Sequence, residues 1–383
     1  MKIRRFVIIA LTLAIALAAS VYLFRGIGSG RPAPEAVSPA EDFRPRTIIT
    51  TDGECDDLNS FIHLLYCSND LDIRGIVLSS SCYHYGGETP YRWAGEDWMF
   101  DYISAYGEVY VSLAERDASY PAPEYLAGIT RIGNISAVND VAASTDGSLL
   151  IADEILKNED STLYIQCWGG SNTVARALMD IEEQFGKSEN WSEMKSELSA
   201  RIVIYLVSTQ DDTYESYIKP VWPEITVLHS VRGFEALAFG WKWNVDKAQA
   251  KTLHAGWQLE NIIRKNPLAE KYCTYWDEKA YVGELPQYQY GLTEFKLPKY
   301  WLILTYHGGI FSYGDFLSDG DSPAFLFLLD GRLENIDSYE ISNWGGTFRK
   351  VSEHYYVDDF PPADTIGRYL TAINEDFAAR IGS

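Results

Sequence analysis

Thr47-Ile48-Ile49-Thr50-Thr51-Asp52-Gly53-Glu54-Cys55-Asp56-Asp57 is the stretch whose reading decides the fold. Its β-branched first half suits a buried strand. The chain then turns acidic and meets a glycine. Leu58-Asn59-Ser60-Phe61-Ile62-His63-Leu64-Leu65-Tyr66 follows, with apolar residues at helical spacing. The carboxylates therefore fall at the carboxyl end of a strand, where a helix begins. In open α/β sheets that crevice is where ligands bind.

Asp52, Glu54, Asp56 and Asp57 repel one another. Asp56 or Asp57 can be accounted for as a helix N-cap, which leaves the other acids without a reason. A hard cation accounts for the whole group, since calcium takes roughly six to eight oxygen ligands in irregular geometry. Two rival acid motifs fail by register. An EF-hand loop beginning at Asp52 needs Gly at its sixth position and Glu at its twelfth, where Asp57 and His63 stand. An aspartyl-phosphate enzyme needs a nucleophilic Asp two residues before Asp52, where Thr50 stands.

The spacing Asp52-x-x-x-Asp56-Asp57 resembles the Asp-x-Asp-Pro-Gly-x-Asp-Asp motif of nucleoside hydrolases, with Thr50 in place of its first Asp and Gly53-Glu54 in place of Pro-Gly. The flanks resemble more closely a nucleoside hydrolase-like family of secreted proteins, often labelled cellulose-binding. Its Thr-Thr-Asp-Gly-Glu-x-Asp-Asp-x-Asn-Ser-Phe run is matched by residues 50–61. The resemblance implies an α/β fold over residues 44–383, with a mixed, mainly parallel central sheet flanked by helices, a Rossmann-like open sheet. It implies that Asp52 binds calcium and is the base for water, that Asp57 is a calcium ligand, and that Asp56 holds a sugar hydroxyl.

Further along, residues 71–78 read as a second strand, completing a strand–helix–strand unit. Ser79 to Gly87 then suits a substrate loop, in which His84 acts as a general acid or only hydrogen-bonds and stacks. Helices are expected over 97–116 and 148–157, and a strand over 162–168. Gly169-Gly170-Ser171-Asn172-Thr173 leads into an amphipathic helix over 174–185. The glycine pair lets backbone approach a ligand, or it is a tight turn capped by Ser171 or Asn172. The resemblance implies that the Trp168 carbonyl ligates calcium and that Asn172 meets substrate. Residues 201–207 and 224–229 read as strands. Between them Gln210 and Asp211 either hold sugar hydroxyls or form a plain turn.

From 233 to 300 only a helix over 253–264 is legible. Residues 301–304 read as core and His307-Gly308-Gly309 as a turn. In Ser318-Asp319-Gly320-Asp321-Ser322-Pro323 acids again precede an apolar helix, with Pro in its first turn. Asp321 or Ser322 is the N-cap on the plain reading. Nucleoside hydrolases carry His-Asp-Pro at this place, so the resemblance implies that Asp321 completes the calcium shell and that Gly320 stands where a His protonates the leaving base. Trp344 reads as an exposed aromatic for sugar stacking, and 363–381 as a last helix packed on the sheet.

The formal net charge of -22 excludes nucleic acid, and excludes anionic lipid as a partner for the body of the protein. With 46% hydrophobic residues and a mean hydropathy of -0.16 the chain is globular. The five cysteines are scattered, without a CxxC pair, which speaks against zinc. Residues 1–25 pair a basic start with an apolar segment, a signal peptide or signal anchor that sends the rest out of the cytoplasm. Residues 26–43 read as a flexible linker. Membrane contact is thus expected only through the N-terminal segment.

Two functions follow. One is a calcium-dependent hydrolase of N- or O-glycosidic bonds in a nucleoside- or riboside-like substrate, with Asp52 and Asp56 as catalytic residues. The other is a carbohydrate-binding protein on the same scaffold without turnover, for which Gly320 and the abundant Trp and Tyr speak. The expected partners are a small sugar or nucleoside-like ligand or a polysaccharide, and a second copy of the chain.

Overall fold

The computed structural model describes residues 44–87, 93–157, 159–277, 311–329 and 339–382. The expected leader (1–25), linker (26–43), core segment 301–304 and turn at His307 lie outside them. Among the described residues no helix is long and apolar enough to cross a membrane.

Among the described residues eight strands form one sheet: β1 (Arg46–Thr51), β2 (Asp72–Leu78), β3 (Thr130–Ile132), β4 (Leu163–Cys167), β5 (Ile202–Val207), β6 (Thr226–Ser230), β7 (Arg349–Ser352) and β8 (Tyr355–Asp358). Their order is β3-β2-β1-β4-β5-β6-β8-β7. Every pairing is parallel except β7 with β8. The chain leaves β1 toward β2 and β3, then crosses back to β4, β5 and β6. Neighbouring crossovers diverge between β1 and β4, which opens a crevice at the carboxyl ends of those strands.

Both faces are covered, which is why the parallel strands read as continuous apolar runs. On β1, Ile49 faces a core shared with α1 (Cys55–Cys67) and α2 (Trp98–Arg116), while Ile48 faces the opposite core. That second core is built with α3 (Asp146–Leu156), α4 (Asn172–Phe185) and α5 (Trp191–Ala200). On β5 the alternation repeats: Val203, Tyr205 and Val207 face the first core, Ile202, Ile204 and Leu206 the second.

Three segments differ from the sequence expectation. The helix expected over 253–264 is a short helix, Ala255–Gln258, running into a π turn, Leu259–Ile263. The last helix begins at Leu370, after 3-10 turns at Pro362–Asp364 and Ile366–Tyr369. It packs on α1 rather than on the sheet, with Phe377 stacked on His63 at 4.0 Å between centroids. The β7–β8 hairpin at the sheet edge was not legible, because all four residues of β7 are exposed and carry no apolar alternation.

Candidate metal centre

The first loop of the site is shaped by Gly53, whose φ of 79° lies in the left-handed region. A Cβ there would also stand 2.9 Å from Trp98 Nε1. This turn drops Asp52 into full burial beyond β1 and starts α1 at Cys55. The N-cap position is Glu54, and it makes no side-chain cap bond. Asp56 and Asp57 thus lie inside the first turn and are not the cap. Asp57 instead closes the loop, its Oδ1 accepting from Thr51 Oγ1 at 2.5 Å and from the Asp52 amide at 3.2 Å.

The second loop, residues 318–322, comes from the far end of the chain and is gripped by α1. Asn59 Nδ2 donates to the Ser318 carbonyl at 2.7 Å. Ser60 Oγ donates to Asp319 Oδ1 at 2.8 Å and accepts from the amides of Asp321 and Ser322 at 3.2 and 3.1 Å. His63 Nδ1 lies 2.9 Å from Asp319 Oδ2. Burial pushes the His63 imidazole down, but the Asp319 carboxylate outweighs this by charge and hydrogen bond and raises it to about 9.

With the loops docked, carboxylate oxygens of Asp56, Asp57 and Asp321 lie within 4.8 Å of one another. Asp57 and Asp321 are buried and Asp56 is half-buried. Burial raises Asp56 to about 7, with the Asp52 charge adding to it. Burial, then Asp52 and Asp56, drives Asp57 well above the usual carboxylate range. Asp321 is driven up by burial and by Asp57, Asp56, Asp52 and Glu54. Among the described residues Asp52 Oδ2 and Asp321 Oδ2 are buried without a hydrogen-bond partner, an arrangement that is costly unless another group supplies the missing charge. The donors are all hard oxygens, so the residues fit a calcium-like ion and not a soft metal.

The resemblance implies Asp52 as a ligand and Asp56 on the sugar; in the structure an oxygen of Asp56 lies with those of Asp57 and Asp321. Asp52 Oδ1 accepts from the Glu54 amide at 3.3 Å, and its Oδ2 lies 3.9 Å from His84 Nδ1. His84 is fully buried, 3.6 Å from Glu54 Oε2 as well. Protein atoms alone already require the glycine pair. A Cβ on Gly169 would stand 2.8 Å from Asp52 Cβ, and one on Gly170 would stand 2.3 Å from Asp211 Oδ2 and 2.4 Å from the Ser80 carbonyl.

The remaining expected residues line the same carboxyl edge. The Trp168 carbonyl accepts from Gln210 Nε2. Gln210 Oε1 is buried and unpartnered. Asn172 Nδ2 donates to Ser80 Oγ, to the Asn134 carbonyl and to the Asp140 carbonyl at 3.0, 2.7 and 3.0 Å, tying three loops together. The amino end of α4 is capped by neither Ser171 nor Asn172. Asp211 caps it from the next loop, its Oδ2 accepting the Asn172 amide at 2.9 Å, while Oδ1 takes Ser171 Oγ and the Thr213 amide. Trp344 is half-buried against the core rather than exposed. It sits where Gly345 closes on Phe327 and the Pro323 carbonyl: a Cβ on Gly345 would meet them at 2.2 and 2.5 Å.

Two residues of this region escaped the sequence reading. Nothing in the sequence sets Asp319 apart from Asp321 or ties it to His63 in the apolar run of the first helix. Their pairing leaves no local signature, although an ionisable residue inside an apolar helical face is itself a sign of a buried partner.

The family described as "Cellulose-binding Sde182, nucleoside hydrolase-like domain" matches residues 46–348. No curated protein matches the chain. Among solved structures, a nucleoside hydrolase-related hypothetical protein from Saccharophagus degradans, associated with carbohydrate metabolism, aligns with a TM-score of 0.63 at 20% identity, over 88% of this chain and 71% of that one. A plant nucleoside hydrolase aligns with a TM-score of 0.43 at 10% identity, over 88% of this chain and 99% of that one. The type III effector XopQ, complexed with adenosine diphosphate ribose, aligns at 0.45 and 13%, over 89% and 95%. The first of these carries the shared fold, a mostly parallel eight-stranded sheet flanked by helices.

Proposed function

The chain belongs to the cellulose-binding Sde182 nucleoside hydrolase-like family, and on that premise we propose that it is a calcium-dependent hydrolase of glycosidic bonds in sugar or nucleoside-like compounds. The observation that carries this reading is the convergence of Asp56, Asp57 and Asp321 with two buried carboxylate oxygens, on Asp52 and Asp321, that find no hydrogen-bond partner among the described residues.

Asp57, Asp321 and Asp56 would hold the ion, with Asp52 beside Asp57; the resemblance adds the Trp168 carbonyl as a ligand. When bound, calcium would position a water and lower its pKa. Asp52 Oδ2 is the base: it is buried, makes no hydrogen bond, and has His84 alongside to steady its charge. The water oxygen bonds to the anomeric carbon as its proton passes to Asp52, and the bond to the leaving group breaks with its electron pair. Direct attack of this kind inverts the anomeric carbon. Asp56, the least buried of the three acids, accepts sugar hydroxyls and steadies the positive charge that develops on the ring. Of the residues on the neighbouring loops, Gln210, whose buried Oε1 has no partner among the described residues, would meet the sugar, while Asn172 and Asp211 hold the loops that carry it. With glycine at 320 no side chain there protonates the leaving group, so groups that depart as stable anions are favoured. Release of p-nitrophenol from a p-nitrophenyl riboside tests this. The expected result is turnover lost to a chelator and to Asp52→Ala; equal rates in all three cases would end the hydrolase reading.

One observation favours a second reading, a carbohydrate-binding protein without turnover. Asp56 Oδ2 fills the space that a side chain at 320 would need. Binding of cello-oligosaccharides or xylan that is unchanged by chelator, with no product formed, selects that reading. The expected localisation outside the cytoplasm, with a cleaved or anchored leader, is proposed on the N-terminal sequence alone; fractionation of cells expressing the full chain tests it.

A further inference from the structure

We propose that His63 and Asp319 are positioning residues for Asp321: their buried pair fixes the 318–322 loop on α1, so that Asp321 is already within reach of Asp57 when calcium arrives. The inference rests on the reading of the acid cluster as a calcium site.

The two acids of the loop are treated in opposite ways. Asp319 is saturated, taking Ser60 Oγ at 2.8 Å, His63 Nδ1 at 2.9 Å, Tyr272 OH at 3.2 Å and Ser322 Oγ. Asp321 Oδ2 is buried and takes nothing. The division of labour is enforced by one hydroxyl. Ser60 Oγ donates to Asp319 and accepts from the amides of Asp321 and Ser322, so the backbone on both sides of the bare carboxylate is pinned. His63 is held in turn, its ring stacked on Phe377 at 4.0 Å and met edge-on by Phe325 at 5.2 Å. Phe325 belongs to α6 (Pro323–Leu329), the helix that the loop opens.

The need for such a clamp follows from the charges. Once Asp321, Asp57 and Asp56 ionise, as holding a cation requires, they repel one another, and a loop held only by its own turn relieves that by swinging outward. A partner that fixes the loop from behind lets the acids stay together without the ion, so that less ordering remains for binding. Groups that orient metal ligands in this way typically change affinity by about 10–100-fold when removed.

The test titrates the full chain with calcium by calorimetry, and with terbium as a luminescent surrogate, at a temperature where every variant is folded. The wild type is compared with His63→Ala, Ser60→Ala and the conservative His63→Asn, whose amide nitrogen can take the place of Nδ1. The calcium-free melting temperature is recorded in parallel. The expected result is a loss of affinity of about tenfold or more in His63→Ala, a smaller loss in Ser60→Ala, and recovery in His63→Asn. Unchanged affinity in folded His63→Ala, with only the melting temperature lowered, makes the pair a plain brace and overturns the proposal. If His63→Ala does not fold, Ser60→Ala decides it by the same comparison. A wild type that binds neither calcium nor terbium refutes instead the metal reading beneath it.

Discussion

Asp56 Oδ2 lies 2.7 Å from the point where a Cβ on residue 320 would stand, so the carboxylate at 56 and the glycine at 320 fit only together. Ser318 Oγ, 3.5 Å from the same oxygen, steadies it from the loop. The absence of a side chain at 320 is therefore part of how the acid cluster is built. Gly320→Ala is expected to displace the Asp56 carboxylate by a few tenths of an ångström and to weaken calcium binding and turnover together. Adding Asp56→Ala to that variant is expected to make room for the new methyl group and restore the local fold, but not the activity. Calorimetric titration of both variants checks this; full calcium affinity in Gly320→Ala contradicts it.

Asp321→Asn removes one ionisable group from a buried acid cluster in which burial and the neighbouring carboxylates oppose ionisation. The calcium-free protein is expected to gain about 1 kcal/mol or more, while the stabilisation that calcium confers disappears. Urea unfolding with and without chelator measures both effects. A variant less stable than the wild type in chelator would show that the acids do not strain one another.

The pH dependence carries a definite sign. Asp56 titrates near 3.8 when unfolded and at about 7 when folded. Between those values the folded chain keeps a proton that the unfolded chain releases, so its contribution to stability is lost as pH rises through about 7. Asp57 and Asp321 shift in the same direction. His63, raised from 6.5 to about 9, contributes fully below 6.5 and loses its contribution as pH passes about 9. Melting temperature in chelator is expected to fall steadily between about pH 5 and 9, and the increment from calcium to grow over the acidic half of that span. Differential scanning at several pH values tests it; a flat profile in chelator rules it out.

Asp211 is engaged at both oxygens in capping α4. Asp211→Ala is expected to cost about 2 kcal/mol or more, since the cap is lost and the buried amide of Asn172 is left unpaired. If its work is structural, KM for a riboside stays within about twofold in the folded remainder. A raised KM at unchanged stability would place the residue on the sugar instead.

Gly170→Ala puts a methyl group 2.3 Å from Asp211 Oδ2 and 2.4 Å from a backbone oxygen of Ser80. Overpacking of this kind costs about 1–3 kcal/mol, and equilibrium unfolding reads it directly. A variant as stable as the wild type would mean that the turn has slack to give.

The run from Thr47 to Tyr66 determined by itself that a buried strand ends in acids at the start of a helix. The apolar runs of β2, β4, β5 and β6 marked buried strands, because burial of successive residues leaves its record within a few positions of chain, and the resemblance carried by residues 50–61 implied the mainly parallel sheet. Only the tertiary structure decided which acid is bare and which is paired. Asp319 and Asp321 are alike in the sequence, and what separates them is Ser60, 259 residues away from Asp319. The cap of α4 and the need for Gly169 and Gly170 were decided in the same way, by Asp211, Asp52 and Ser80 on other loops. Local periodicity records which face of an element is buried. It holds no trace of the distant group that meets that face, and at this site the distant groups set the charge.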